Sequence, residues 1–119
     1  MHELSVCQAL LMQVAEIAAA RGATLVERIT VEVGPLSGVE PGLLAGAFVV
    51  VRAGGCAAQA ALLIESTPVS ISCLSCGAQS ETEPNRLVCS ACGGFRTRVV
   101  AGDELRLRRV ELSLPEPVA

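Results

Sequence analysis

Four of the six cysteines fall in two Cys-x-x-Cys pairs, CLSC at 73–76 and CSAC at 89–92, with 12 residues between the pairs and a glycine, Gly77 or Gly93, directly after each. No other feature constrains the chain as tightly. Residues about 70–99 are too few and too polar to close a hydrophobic core of their own, so something else must fold them. Each pair can turn into a tight knuckle in which two thiolates converge, the following glycine permitting the turn. Two knuckles then complete a tetrahedron around Zn²⁺ at a Zn–S distance of about 2.3 Å. Cys73, Cys76, Cys89 and Cys92 would fill every coordination position, which marks such a zinc ion as structural. Two alternatives remain at this point: a pair of disulfides, which a reducing compartment disfavours, and a rubredoxin-like iron site, since thiolates also suit iron.

The rest of the chain reads as two helices and a small sheet. Cys7, Leu10, Leu11, Val14, Ile17 and Ala18 recur at helical spacing and Gly22 can stop the run, which predicts a helix over about 4–21. In ERITVEVG, Ile29, Val31 and Val33 alternate with Arg28, Thr30 and Glu32, the period of a half-buried strand. Pro41 suits a first helical position, and Leu43, Leu44, Ala47, Phe48 and Val51 form a second apolar stripe over about 41–52. Further strands are expected at ALLIES (61–66), VSIS, FRTRVV and ELRLRRVEL. The expected fold class is α+β: two helices on a small, about three-stranded sheet, with an inserted zinc-ribbon-like module of four cysteines. Residues 1–69 plus 100–119 would form the main domain and 70–99 the insert.

Composition narrows the function. With two Phe, no Trp, no Tyr and a formal charge of −3, the chain offers neither a platform for stacking bases nor a basic surface for phosphates, which argues against nucleic acid. The early apolar stretch carries Glu3 in place of a basic residue and is interrupted by Glu16, so a cytoplasmic chain without a membrane span is expected. Cys7 lies on an apolar stripe and reads as a small core hydrophobe, and Cys56 has no evident partner. No histidine remains to activate either thiol for hydrolysis, so no enzyme is expected. Arg96, Arg98, Arg106, Arg108 and Arg109 alternate with aliphatic residues on the last strands. They fit a solvated sheet face, or, in the alternative functional reading, a zinc-ribbon module that binds protein or nucleic acid.

The single histidine is the second residue, in MHELS. The α-amine of Met1, the backbone nitrogen of His2 and an imidazole nitrogen of His2 can close fused five- and six-membered chelate rings, with three nitrogens nearly in one plane. Square-planar nitrogen ligation, with loss of the amide proton, suits Ni²⁺ or Cu²⁺ far better than Zn²⁺. Glu3 could add a carboxylate, and Glu40, in the turn before the second helix, is a candidate fourth or supporting ligand. Taken alone, a histidine at position 2 is in most proteins an ordinary solvated terminus.

MHELS leading into a helix, VGPLSGVEP after the first strand, the two cysteine pairs and the closing GDELRLRRVEL together resemble the HypA/HybF nickel metallochaperones of nickel–iron hydrogenase maturation. The resemblance spans nearly the whole chain. It implies that Met1 and His2 bind nickel as transferred cargo, that Glu3 assists, that Glu40 matches an acidic loop position, and that the four cysteines hold structural zinc. It also implies delivery to a hydrogenase large subunit with a HypB-type GTPase as partner, and leaves a weak homodimer open. Ser90 departs from the proline that commonly follows the third cysteine, and no histidine flanks the knuckles.

Overall fold

In the computed structural model, which describes residues 2–115, the first apolar periodicity becomes α1 (His2–Ala20), two residues longer at its start than its pattern predicts. It stops where Gly22 takes a φ of 67°. There the N–H of Ala23 bonds the carbonyl of Ala18 at 2.9 Å and that of Gly22 the carbonyl of Ala19 at 3.1 Å, satisfying the last carbonyls of the helix in a Schellman arrangement. Strand β1 (Leu25–Val33) follows, then α2 (Pro41–Val51), β2 (Ala61–Ser66), β3 (Val69–Cys73), β4 (Gln79–Thr82), β5 (Thr97–Ala101) and β6 (Leu105–Ser113). The α+β architecture with two helices and a three-stranded sheet is as expected, that sheet having the order β2-β1-β6. Antiparallel pairing of β1 and β6 follows from cross-strand contacts: Arg28 meets Glu111 and Glu32 meets Arg106, so residue numbers rise on one strand as they fall on the other.

The chain forms two compact units. One holds the residues up to Val31, Glu40–Ile64 and those from Leu107 onward. Its core is mostly aliphatic, with Val14, Ala18, Val26, Ile29, Val31 and Leu44 buried together with Cys7 and Phe48. By length and composition α1 could cross a membrane; here its Cys7, Val14 and Ala18 are buried in this core.

The second unit comprises Glu32–Val39 and Glu65–Arg106. It contains a second three-stranded sheet, β4-β3-β5, antiparallel throughout, with Ile71 opposite Ser80 on one side and Val99 on the other. Strand β4, QSET, gave no strand signal in the sequence. It has no aliphatic residue, and its place comes from pairing with β3 and not from its own propensity. Val33, Val39, Val69, Ile71, Cys73 and Cys89 are the side chains this unit buries.

Candidate metal centre

The two knuckles are built alike. The N–H of Gly77 bonds the carbonyl of Cys73 at 3.0 Å and the N–H of Gly93 that of Cys89 at 2.9 Å. Gly77 and Gly93 have φ of 77° and 74°, a region that disfavours any side chain. Each turn is closed by the first cysteine, whose N–H reaches Ala78 at 2.9 Å or Gly94 at 2.8 Å. Repeated geometry gives repeated exposure: Cys73 and Cys89 are buried, Cys76 and Cys92 exposed.

The four Sγ atoms lie within 4.8 Å of one another. Cys73 and Cys92 are 3.6 Å apart, as are Cys76 and Cys89. Disulfides need about 2.05 Å, whereas four sulfurs at about 2.3 Å from one tetrahedral ion stand about 3.8 Å apart. The donor set therefore fits a tetrahedral thiophilic ion such as Zn²⁺, and the sulfurs stand apart as free thiols in this structure. Protonation follows the same pattern. Backbone N–H groups of Cys76 and Ser75 aim at the Cys73 sulfur and hold its pKa down to about 6. Cys89 is lowered in the same way by Cys92 and Ala91. Cys76, although the N–H of Ala78 favours its thiolate, is pushed up to about 11 by the sulfurs of Cys89, Cys73 and Cys92. Four thiolates this close repel, and a dication would relieve that repulsion. Sequence reasoning missed Gly94. A Cβ there would stand 3.2 Å from the sulfur of Cys92 and 3.9 Å from that of Cys73, so the position after the second knuckle is kept bare for the cluster.

At the other candidate site, Met1 lies outside the described residues. His2 and Glu3 open α1, and the imidazole Nε2 of His2 faces Glu3 Oε2 at 3.4 Å. His2 is exposed and Glu3 buried, only 6% of its surface reaching solvent. The same Oε2 accepts the backbone N–H of Glu40 at 3.2 Å. That bond leads the interactions that keep the Glu3 carboxyl ionised down to about pH 2, and His2 adds to them. Glu40 is the N-cap of α2, its Oε2 accepting the N–H of Leu43 at 2.7 Å, with Pro41 next as the sequence implies. His2, Glu3 and Glu40 are thus linked in a relay. Among the described residues, however, only the four cysteines form a group of three or more donors that converge.

The remaining half of VGPLSGVEP is tied to GDEL. The N–H of Gly34 reaches the carbonyl of Glu104 and that of Leu36 the carbonyl of Gly102, both at 2.8 Å. The Glu104 carboxylate accepts the Thr67 hydroxyl at 2.5 Å and the Gly102 N–H at 3.0 Å, and these bonds hold its pKa below the usual range. Two sequence motifs with no obvious common purpose are therefore one clamp. Of the arginines singled out above, Arg106 donates through Nε and Nη2 to Glu32 at 2.9 and 2.7 Å and is a structural ion pair. Cys7 is buried in the first unit, where desolvation raises its pKa, as a core thiol should be.

Two helices with a three-stranded sheet, a histidine at the start of the first helix and a cluster of four converging cysteine sulfurs define an α+β protein that carries the donor set of a metal site. Comparison with known proteins places it further. The profile of the family described as "Hydrogenase/urease nickel incorporation, metallochaperone, hypA" matches residues 1–112, and the chain belongs to this HypA family of nickel-incorporation metallochaperones for hydrogenase maturation. The hydrogenase maturation factor HypA of Nitrosospira multiformis is 45% identical over 112 residues, covering 94% of this chain and 97% of that one. The HypA of Aquifex aeolicus is 37% identical over 114 residues, covering 96% and 99%. Among solved structures, the Ni metallochaperone HypA from Helicobacter pylori superposes with a TM-score of 0.71 at 26% identity, covering 95% of this chain and 98% of that one.

Proposed function

We propose that this chain is a cytoplasmic nickel carrier and not an enzyme. It would bind Ni²⁺ through the Met1 amine, the His2 amide nitrogen and the His2 imidazole, and pass the ion to a hydrogenase large subunit with a HypB-type GTPase. In this reading residues 1–69 plus 100–119 carry the nickel function, and the insert 70–99 holds structural zinc on Cys73, Cys76, Cys89 and Cys92.

The observation that carries the nickel reading is the contact of His2 Nε2 with the buried Glu3 carboxylate. Only Nδ1 can close a six-membered ring with the residue's own amide nitrogen. A proton on Nε2, directed at Glu3, leaves the Nδ1 lone pair for the metal, the usual service of a carboxylate behind a ligating histidine. His2 also stands in the first turn of α1, where a backbone N–H has no intrahelical carbonyl to bond, so losing that proton to nickel breaks no helical hydrogen bond. Glu3 acts here as the support of His2, and Glu40 fixes Glu3 through its N–H while its own carboxylate caps α2. An open planar site favours hand-over by ligand exchange. Leu4 and Leu43, 46% and 58% exposed, directly follow Glu3 and the capped start of α2 and offer the GTPase an apolar foothold beside the terminus.

The test is a nickel titration of the tag-free chain against two variants, His2→Ala and a chain extended by one residue ahead of Met1. The native chain should give the yellow absorption of low-spin planar Ni²⁺, and both variants should lose it with their zinc content unchanged. An extended chain that binds nickel as tightly and with the same spectrum refutes the terminal chelate.

A further inference from the structure

We propose that the groove between the second half of α1 and strand β6 is a docking site for an extended acidic segment of a partner protein, a role separate from the nickel reading. The groove encloses about 280 Å³. Ile17 of α1 and Leu107, Val110 and Leu112 of β6 line it together with Arg21 and Arg109, both exposed. Among the described residues β6 is an edge strand, paired with β1 on one side, so the backbone N–H and C=O groups of its outer side have no ladder partner there. From Leu107 to Leu112 that edge offers a track of about 20 Å. A segment added there as a fourth strand would gain main-chain hydrogen bonds, with alternate apolar side chains turned into the groove.

Charge selects among the occupants. The three arginines of the groove, Arg21, Arg108 and Arg109, stand beside an aliphatic surface and match carboxylates alternating with apolar side chains, and guanidinium–carboxylate pairing is directional. A second copy of the chain is a poorer occupant, because antiparallel pairing of β6 on β6 centred on Leu107 and Arg108 sets the stretch Arg106–Arg109 of one copy against its equivalent, like charge facing like. Nucleic acid is also disfavoured: the groove contains no aromatic residue for a base to stack on.

The experiment uses the full, metal-loaded chain and a blocked eight-residue peptide of alternating leucine and glutamate, with binding followed by calorimetry and by backbone amide shifts. Binding should perturb the amides of 107–112, weaken as salt is raised, and fall by about tenfold or more in the double variant Arg21→Glu, Arg109→Glu. Arg98→Glu, on β5, should bind as the native chain does, and far-UV circular dichroism of each variant verifies its fold. Equal binding of a lysine–leucine peptide, an unchanged affinity of the double variant, or shifts confined to other strands would overturn the proposal. Tighter binding of a single-stranded oligonucleotide at the same amides would overturn it in favour of nucleic acid. Self-association of the double variant without peptide binding by the native chain would reduce these arginines to guards of a bare edge.

Discussion

At the scale of single residues, Gly34 and Gly102 show how a motif can be visible while its reason is not. A Cβ on Gly34 would lie 2.2 Å from the carbonyl oxygen of Gly102, and one on Gly102, whose φ is 110°, would lie 2.8 Å from Cα of Val69. The obstacles are backbone, which cannot rotate away. Gly34→Ala should therefore cost about 3 kcal/mol, at the upper end of overpacking penalties, measured by denaturant unfolding. Glu104 makes a pH prediction from the same clamp. Its folded pKa is depressed below the ordinary 4.5 by the Thr67 hydroxyl and the Gly102 N–H. A depressed carboxyl stabilises the fold above its ordinary value and loses that contribution as pH falls through the lower, folded one. Glu104→Gln should thus melt below the native chain at pH 7, and the gap should close on acidification. A gap that stays constant from pH 7 to pH 3 would mean that the carboxylate's charge contributes nothing. The sequence showed the glycines and the glutamate, but a contact between positions 34 and 102 has no local signal.

Elements were more legible than the contacts between them. Both helices lie within two residues of their apolar periodicity, because one buried stripe of Cys7, Val14 and Ala18, or of Leu44 and Phe48, dictates where each must run. The four-cysteine knuckles were readable because ligand spacing is a local property. Strand β4 and the N-cap role of Glu40 were not, since glutamate is outside the favoured capping set of Ser, Thr, Asp and Asn and here caps through a long side chain. α2 also carries a removable weakness. Gly46 sits inside this helix with nothing within 4 Å of where its Cβ would be, so the position bears glycine's entropic penalty with no steric reason for it. Gly46→Ala should raise stability by about 0.5–1 kcal/mol, seen as a higher denaturation midpoint at unchanged m-value. A loss of stability there would mean that the added methyl group meets a neighbour and the position is not open.

For the molecule as a whole, two compact units imply two different sources of stability. The first closes over an aliphatic core of two helices and a sheet, which is the ordinary means of folding. The second buries four aliphatic side chains, Val33, Val39, Val69 and Ile71, and two more of its buried positions are Cys73 and Cys89 of the cluster. So thin a core cannot order that length of chain unaided, whereas a structural zinc on four thiolates contributes about 10–16 kcal/mol near neutral pH. If zinc occupies the cluster, its removal should act on one unit and not the other. Chelation, or Cys73→Ser, should leave the chain without zinc by elemental analysis and remove hydrogen-exchange protection from β3 and β5, while α1 and α2 stay protected. Cys92→Ser distinguishes ligation from packing, because Cys92 is exposed and its sulfur fills no core. If Cys92→Ser matches Cys73→Ser in both readouts, the metal holds the unit together. If it retains zinc and protection, the buried thiol of Cys73 matters for packing, and the cluster is not what folds this part of the chain.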